Sequence, residues 1–124
     1  MKSLLVVLML VSATANAEWT YVSSADDSSS SYYIDIKTIK KTASGHRTIW
    51  NMTNFNQSSI DGHLSSKALY EFSCNEDKYK ILQITGYSGK SGTGKSIGTD
   101  GQSDWMYVIP GSTIEPIQSI VCGR

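Results

Sequence analysis

Residues 67–74 (KALYEFSC) alternate between two kinds of side chain. In an extended chain the alternation separates them into two sets: Ala68, Tyr70, Phe72 and Cys74 on one face, and Leu69, Glu71 and Ser73 on the other. A period of two residues is typical of a β-strand with one buried face. The segment therefore favours a fold built around a sheet with one apolar face.

Five further segments have strand character, and polar or glycine-containing stretches separate them. They are residues 18–23, 32–39, 47–54, 79–87 and 105–109. In the second, Tyr32, Ile34 and Ile36 are expected to share a face, and in the third Trp50 and Met52 do so. Residues 75–77 predict a short turn, so strands 67–74 and 79–87 form a hairpin. Residues 89–104, rich in Gly, Ser and Thr, predict a loop.

The last segment has the pattern of an amphipathic helix. Ser112 with Glu115 three residues later predicts a capping box, and Gly123 predicts the helix end. One apolar stripe follows the helical period: Ile114, Ile117 and Val121. The fold class is therefore α+β, an antiparallel sheet of about six strands with one C-terminal helix packed on one face.

The N-terminus resembles a secretory signal. Lys2 precedes the apolar residues 4–11, and Ala15-Asn16-Ala17 places small residues where signal peptidase requires them. The apolar run is much shorter than the ~20 residues that span a bilayer. We expect residues 1–17 to be removed and residues 18–124 to form one domain with no transmembrane segment. No cysteine follows the cut, so we expect no lipid anchor there.

The two cysteines, Cys74 and Cys122, both lie in the exported part. An even cysteine count in an oxidising compartment predicts one disulfide. A redox or metal site is the alternative, but the pair lacks the C-x-x-C spacing. The predicted disulfide ties the helix across the Ala68–Phe72 face of the sheet.

The charge balance argues against polyanionic partners. Eleven basic and eleven acidic residues give a formal net charge of zero. Nucleic-acid binding requires a basic surface, so we expect no nucleic acid and no polybasic membrane contact.

The sequence GKSGTGKS, from Gly89 to Ser96, matches the phosphate-binding pattern G-x-x-x-x-G-K-[ST]. Such a loop must open a helix whose N-terminus faces the anion. Residues 97–104 carry two glycines and two acids and no helical stripe. We therefore expect no nucleotide, and a flexible loop instead.

Candidate catalytic and metal-binding residues are few. His46 and His63 are the only histidines, and neither has a partner at metal-ligand spacing. No G-x-S-x-G elbow is present. We expect no catalytic residue, no cofactor and no metal. A hydrolase that uses the two histidines as an acid–base pair is the weakest of three functional hypotheses.

The chain resembles the surface-adhesin protein E-like family of Gram-negative bacteria. The resemblance rests on Tyr32-Tyr33-Ile34-Asp35, Arg47 with Trp50, residues 66–74, Tyr79-Lys80-Ile81-Leu82, Tyr87-Ser88-Gly89, Trp105, Pro110-Gly111-Ser112 and Cys122. It implies an antiparallel sheet with a C-terminal helix tied by Cys74–Cys122. It also implies surface binding of host extracellular-matrix or serum proteins and supplies no catalytic residue.

Two functional hypotheses are therefore better supported than the hydrolase hypothesis. The first is a non-enzymatic, adhesin-like exported domain, periplasmic or secreted, that contacts host or envelope proteins. The alternative is a periplasmic inhibitor or envelope-housekeeping protein that inserts a loop such as residues 89–104 into a partner's site.

Cell fractionation tests the predicted export. We expect the chain in the periplasm or the medium, with an intact mass that corresponds to residues 18–124. A cytoplasmic chain that retains residues 1–17 would contradict the signal and the oxidising compartment inferred from it.

Overall fold

Short polar turns join most consecutive strands, and this connectivity lets each strand pair with the next. A computed structural model describes residues 17–57 and 62–124. The strands are β1 (Thr20–Ser24), β2 (Ser30–Lys41), β3 (Arg47–Phe55), β4 (Ser65–Ser73), β5 (Lys78–Tyr87), β6 (Ser96–Asp100) and β7 (Met106–Tyr107). One helix, α1 (Ile114–Cys122), follows. Residues 1–16 of the predicted signal lie outside the described residues, so its cleavage stays a prediction.

The strands form one antiparallel sheet in the order β1-β2-β3-β4-β5-β6, and β7 pairs with the start of β5. This confirms the α+β class. Two details of the prediction are wrong. Residues 89–104 are not all loop, because β6 lies within them and pairs with the end of β5. The predicted strand 105–109 is reduced to the two residues of β7.

The core lies between one face of the sheet and α1, and we call this face the core face. Its buried residues come from β2, β3, β4, the segment after β7 and the helix: Ile34, Ile49, Ala68, Tyr70, Phe72, Val108, Ile117 and Val121. The predicted Ala68–Tyr70–Phe72 face is therefore buried as expected. Ile114, the third member of the helical stripe, is partly buried against the same core.

An irregularity in β2 changes one predicted face. The register of β2 against β3 shifts between Asp35 and Lys40. Within the shift, the Thr38 hydroxyl donates to the Asp35 carbonyl (2.7 Å) and accepts from the Trp50 amide (3.0 Å). Ile36 is 48 % exposed whereas Ile34 is fully buried, so the prediction that the two residues share a face is wrong. Ile39 packs against the core instead.

The helix begins one residue later than predicted. Thr113 is the N-cap residue, and its side chain makes no capping hydrogen bond. The Glu115 carboxylate accepts from the Gly111 amide (3.3 Å) rather than from Ser112, so the predicted Ser112–Glu115 capping box does not form. Gly123 ends the helix in the left-handed conformation (φ 71°), as predicted.

Cys74 and Cys122 form the predicted disulfide, with Cα atoms 5.7 Å apart. A second contact also holds the last turn of α1: Arg47 Nη1 donates a hydrogen bond to the Val121 carbonyl (2.8 Å). Since Arg47 begins β3, these two contacts fix the helix end to neighbouring strands of the sheet.

Replacing Cys122 with Ser should lower the melting temperature by roughly 15–30 °C. A crosslink that closes a loop of about 50 residues stabilises by about 4 kcal/mol, and each kcal/mol shifts a domain of this size by several degrees. Calorimetry under non-reducing conditions measures the shift. Cys74→Ser should match it, and Ile120→Ala, an exposed helix position, should change little. Equal melting of wild type and Cys122→Ser would contradict the stabilising role.

The burial of Tyr70 predicts that the stability of the fold depends on pH in the alkaline range. Burial raises the pKa of the Tyr70 phenol above its usual value, and the neighbouring Tyr79 raises it further. Between the unfolded pKa of ~10 and the higher folded pKa, the unfolded state alone loses the proton, so stability falls as pH rises. Tyr70→Phe should make this fall shallower by up to ~1.4 kcal/mol per pH unit.

Urea unfolding between pH 9.5 and 12 measures the slope. Tyr107→Phe is the matched control, because Tyr107 is 68 % exposed and its removal should leave the slope unchanged. An unchanged slope in Tyr70→Phe as well would show that Tyr70 ionises as easily in the fold as in the unfolded chain.

Candidate functional site: an aromatic groove on the open face

The face of the sheet opposite α1 carries aromatic side chains from several strands. We call it the open face. Strand pairing puts Trp50 beside Asp35 and Leu69, and puts Lys67 beside Met52 and Thr85. A cavity of about 750 Å³ opens there and is lined in part by Trp19, Trp50, Tyr87 and Lys67. We call this cavity the groove.

Lys67 is the cationic centre of the groove. Its ammonium lies 6.0 Å from the ring centroid of Trp19 and 5.3 Å from that of Tyr87. Each such contact is worth about 0.5–1 kcal/mol at an exposed site. Within residues 17–57 and 62–124, no carboxylate forms an ion pair with Lys67. The groove therefore presents a positioned positive charge between two aromatic rings.

The groove also has a polar part, which comes from Glu18 before β1 and from Asp35, Lys37 and Thr38 in the irregular part of β2. Asp35 is 6 % exposed. Its carboxylate accepts from the Glu18 amide (3.3 Å) and from the Lys37 amide (3.2 Å). The Lys37 ammonium donates to the Glu18 carboxylate at the surface (2.6 Å). This hydrogen bond, together with the Coulomb attraction, raises the pKa of Lys37.

Part of the open face is covered by its own side chains. Met52 is 1 % exposed although it lies on this face. Its strand neighbours are Tyr33 and Lys67, and Tyr33 packs edge-on against Tyr21 at 5.7 Å between centroids. Long aromatic and lysine side chains thus replace a second helix as the cover of this face.

A second aromatic surface lies around β7. Trp105, Tyr107 and Ile109 are 39–68 % exposed, and we call them the β7 patch. The Lys80 ammonium lies 4.7 Å from the Trp105 ring centroid, and the Lys78 ammonium lies 5.0 Å from that of Tyr107. Trp105, Tyr107 and Ile109 do not line the groove, so the patch provides an internal comparison for it.

The two histidines do not meet. His46 precedes β3 and His63 precedes β4, at opposite ends of this antiparallel pair. The nine residues of β3 separate the two ends by roughly 27 Å, at about 3.4 Å per residue. The hypothesis that His46 and His63 act as an acid–base pair is therefore wrong.

Ser44, His46 and Glu71 have the composition of a nucleophile, a base and an acid, but not the geometry. His46 Nδ1 contacts both the Ser44 hydroxyl (3.2 Å) and the Glu71 carboxylate (2.9 Å). In a catalytic triad the hydroxyl and the acid contact opposite nitrogens of the imidazole. The contacts hold the β2–β3 turn against β4, which is a structural role.

The segment that matches a phosphate-binding pattern is used internally. Its Ser91 amide donates to Asn54 Oδ1 (2.7 Å) and its Gly92 amide to Ser65 Oγ (2.8 Å). The Lys95 amide donates to Ser88 Oγ (2.8 Å). A strand, β6, follows where a phosphate site requires a helix. The spacing of this segment is that of a phosphate loop, but its structure is not.

The described residues contain neither a metal cluster nor a membrane-spanning helix. Across residues 17–57 and 62–124, no group of three or more His, Cys, Asp or Glu side chains is placed to hold a metal ion. Over the same residues, no helix combines the length and the apolar composition needed to cross a membrane.

Sequence reasoning named no residue of the groove as a site. The alternation on β4 places Lys67 off the Ala68–Phe72 face, and the alternation on β3 predicts only that Trp50 and Met52 share a face. The position of Trp19 and Asp35 depends on the segment before β1 and on the irregularity of β2, and neither has a sequence signal. Clustering of aromatic residues at non-core strand positions was the available clue.

Comparison with solved structures shows the same fold in Haemophilus influenzae protein E. One crystal form superposes with a TM-score of 0.66 at 14% identity, over 87% of this chain and 92% of that chain. Protein E from a non-typeable strain superposes with a TM-score of 0.63 at 14% identity, over 88% and 79%. None of the curated proteins matches the chain.

The family comparison covers almost the whole described fold. The model of surface-adhesin protein E matches residues 19–123, from Trp19 in the groove to the residue that ends α1. The match and the shared fold confirm the resemblance carried by the strand and cysteine blocks. The chain belongs to the surface-adhesin protein E family.

Proposed function

We propose that the chain is a non-enzymatic, exported binding domain that contacts a host or envelope protein through the groove. Family membership supports an adhesin-like surface protein. The observation that carries the proposal is the placement of Lys67 against Trp19 and Tyr87 in a groove that Trp50 also lines. Tryptophan and tyrosine are enriched among residues that dominate protein interfaces, above all in concave sites.

The apolar rings and the positive charge of the groove indicate which side chains a partner should present to it. An apolar side chain of a partner loop would pack against the aromatic rings that line the groove, where it loses contact with water. A carboxylate beside it would pair with the Lys67 ammonium, which has no acidic partner in the described structure. We therefore expect a loop in which an aromatic or aliphatic residue stands next to Asp or Glu.

The inhibitor alternative is less well supported. It used residues 89–104 as a mobile plug, but side chains of β3 and β4 hold the first part of this segment and its middle forms β6. The remaining loop, residues 101–105, is short. The groove offers a partner a concave site of about 750 Å³, whereas this segment offers only a short loop.

A capture experiment with matched variants tests the proposal. The mature protein is immobilised and exposed to serum and solubilised extracellular-matrix proteins, and the proteins it retains are identified and titrated. Trp19→Ala should weaken retention at least tenfold, because truncating a central interface tryptophan costs about 2 kcal/mol or more. Trp19 precedes β1, so the fold should be preserved, and the melting temperature verifies this.

Tyr107→Ala in the β7 patch is the control, and it should bind within about twofold of wild type. The groove proposal is wrong if Tyr107→Ala loses as much binding as Trp19→Ala, or if neither variant changes it. Retention of an endogenous hydrolase from a periplasmic extract, with inhibition of that enzyme, would instead support the inhibitor function.

A further inference from the structure

The backbone nitrogen of Glu18 lies 3.3 Å from Asp35 Oδ2. Asp35 is almost fully buried, and its other described hydrogen bond comes from the uncharged Lys37 amide. No cation of the described residues lies within ion-pair distance of this carboxylate. The Lys37 ammonium is close enough for the charge of Asp35 to contribute to its raised pKa, but it donates to the Glu18 carboxylate instead. A buried carboxylate with no cation in hydrogen-bond contact is costly, so a positive charge on the Glu18 nitrogen would stabilise it.

The nitrogen that meets Asp35 is also the one that cleavage after Ala17 would release. Ala15-Asn16-Ala17 has the small residues that signal peptidase requires. Hydrolysis of the Ala17–Glu18 peptide bond by one water leaves a carboxyl group on Ala17 and an amine on Glu18. An α-amine in water has a pKa of about 7.7–8, and is mostly protonated at neutral pH.

We propose that processing after Ala17 creates an ion pair between the new α-ammonium group of Glu18 and the Asp35 carboxylate, and that this pair fixes the wall of the groove. The existing hydrogen bond becomes charge-assisted, which makes it shorter and stronger. Ala17 itself lines the groove, so its departure also opens that end. The mature protein thus differs from its precursor in both the charge and the width of the site.

The ion pair has a direct effect on Trp19. This residue follows Glu18, and its ring is one of the two that hold Lys67. The segment before β1 belongs to no strand, so side-chain contacts position it: Glu18–Asp35, Glu18–Lys37 and Trp19–Lys67. Of these, the Glu18–Asp35 contact is the one that involves a buried side chain. The proposal concerns the mature N-terminus and holds whether or not the groove binds a protein.

The test uses two precursors that are exported and processed by the cell. One is the natural sequence, and the other has Gly-Ser inserted between Ala17 and Glu18. The inserted protein should be cut at the same place. Its α-amine then belongs to the inserted Gly, two residues before Glu18, whose nitrogen meets Asp35. Intact mass of each periplasmic product establishes the N-terminus. Melting temperature and the acylation rate of the α-amine at neutral pH are then measured.

We expect the natural protein to begin at Glu18, to melt on the order of 5 °C higher than the inserted one, and to acylate at least tenfold more slowly. Asp35→Asn should lower the melting temperature of the natural protein, and the insertion should add little to it. Glu18→Gln, which keeps the amine and removes only the surface pair with Lys37, should resemble the natural protein.

Three results would overturn the proposal. One is a mature N-terminus at any other residue. Another is equal melting of the natural and inserted proteins. The third is an α-amine in the natural protein that acylates as fast as in the inserted one. The insertion arm does not require Asp35→Asn to fold, so the comparison stands even if that variant does not.

Discussion

The attachment of one helix to one face of a meandering sheet determines the rest of this structure. The core exists only where α1 covers Ala68, Tyr70 and Phe72, and the Cys74–Cys122 bond with the Arg47–Val121 contact keeps the helix there. A nine-residue helix covers one face. The other face must therefore be covered by its own side chains, and Lys67, a strand neighbour of Met52, also lines the groove. The buried core and the groove both follow from the presence of a helix on only one face of the sheet.

Much of the fold is readable in the sequence because its signals are local. Strict alternation predicts β4, the helical stripe predicts α1, and two cysteines in an exported chain predict their bond. The errors fall where tertiary pairing decides. All five residues of β6 are exposed and Gly98 is among them, so this strand has no buried apolar face and forms because β5 offers an edge. Ile36 faces outward because a register shift, rather than the period of two, sets its direction.

The candidate site was less predictable than the fold, for a different physical reason. Each strand periodicity shows which residues leave the core, but it does not show which of them meet across strands. Short motifs were also poor guides. The sequence GKSGTGKS matches a phosphate loop but is followed by a strand, and Ser44, His46 and Glu71 match a triad but share one nitrogen. Function follows from the surroundings of the residues more than from their identity.

The separation of Cys74 and Cys122 has a consequence for the order in which the fold can close. Their spacing of 48 residues places β5 and the whole Ala68–Phe72 face before α1 in the chain. A chain that becomes available from its N-terminus therefore presents this face before the helix that covers it. The disulfide can form only once the end of α1 is available, in a compartment where thiols can be oxidised.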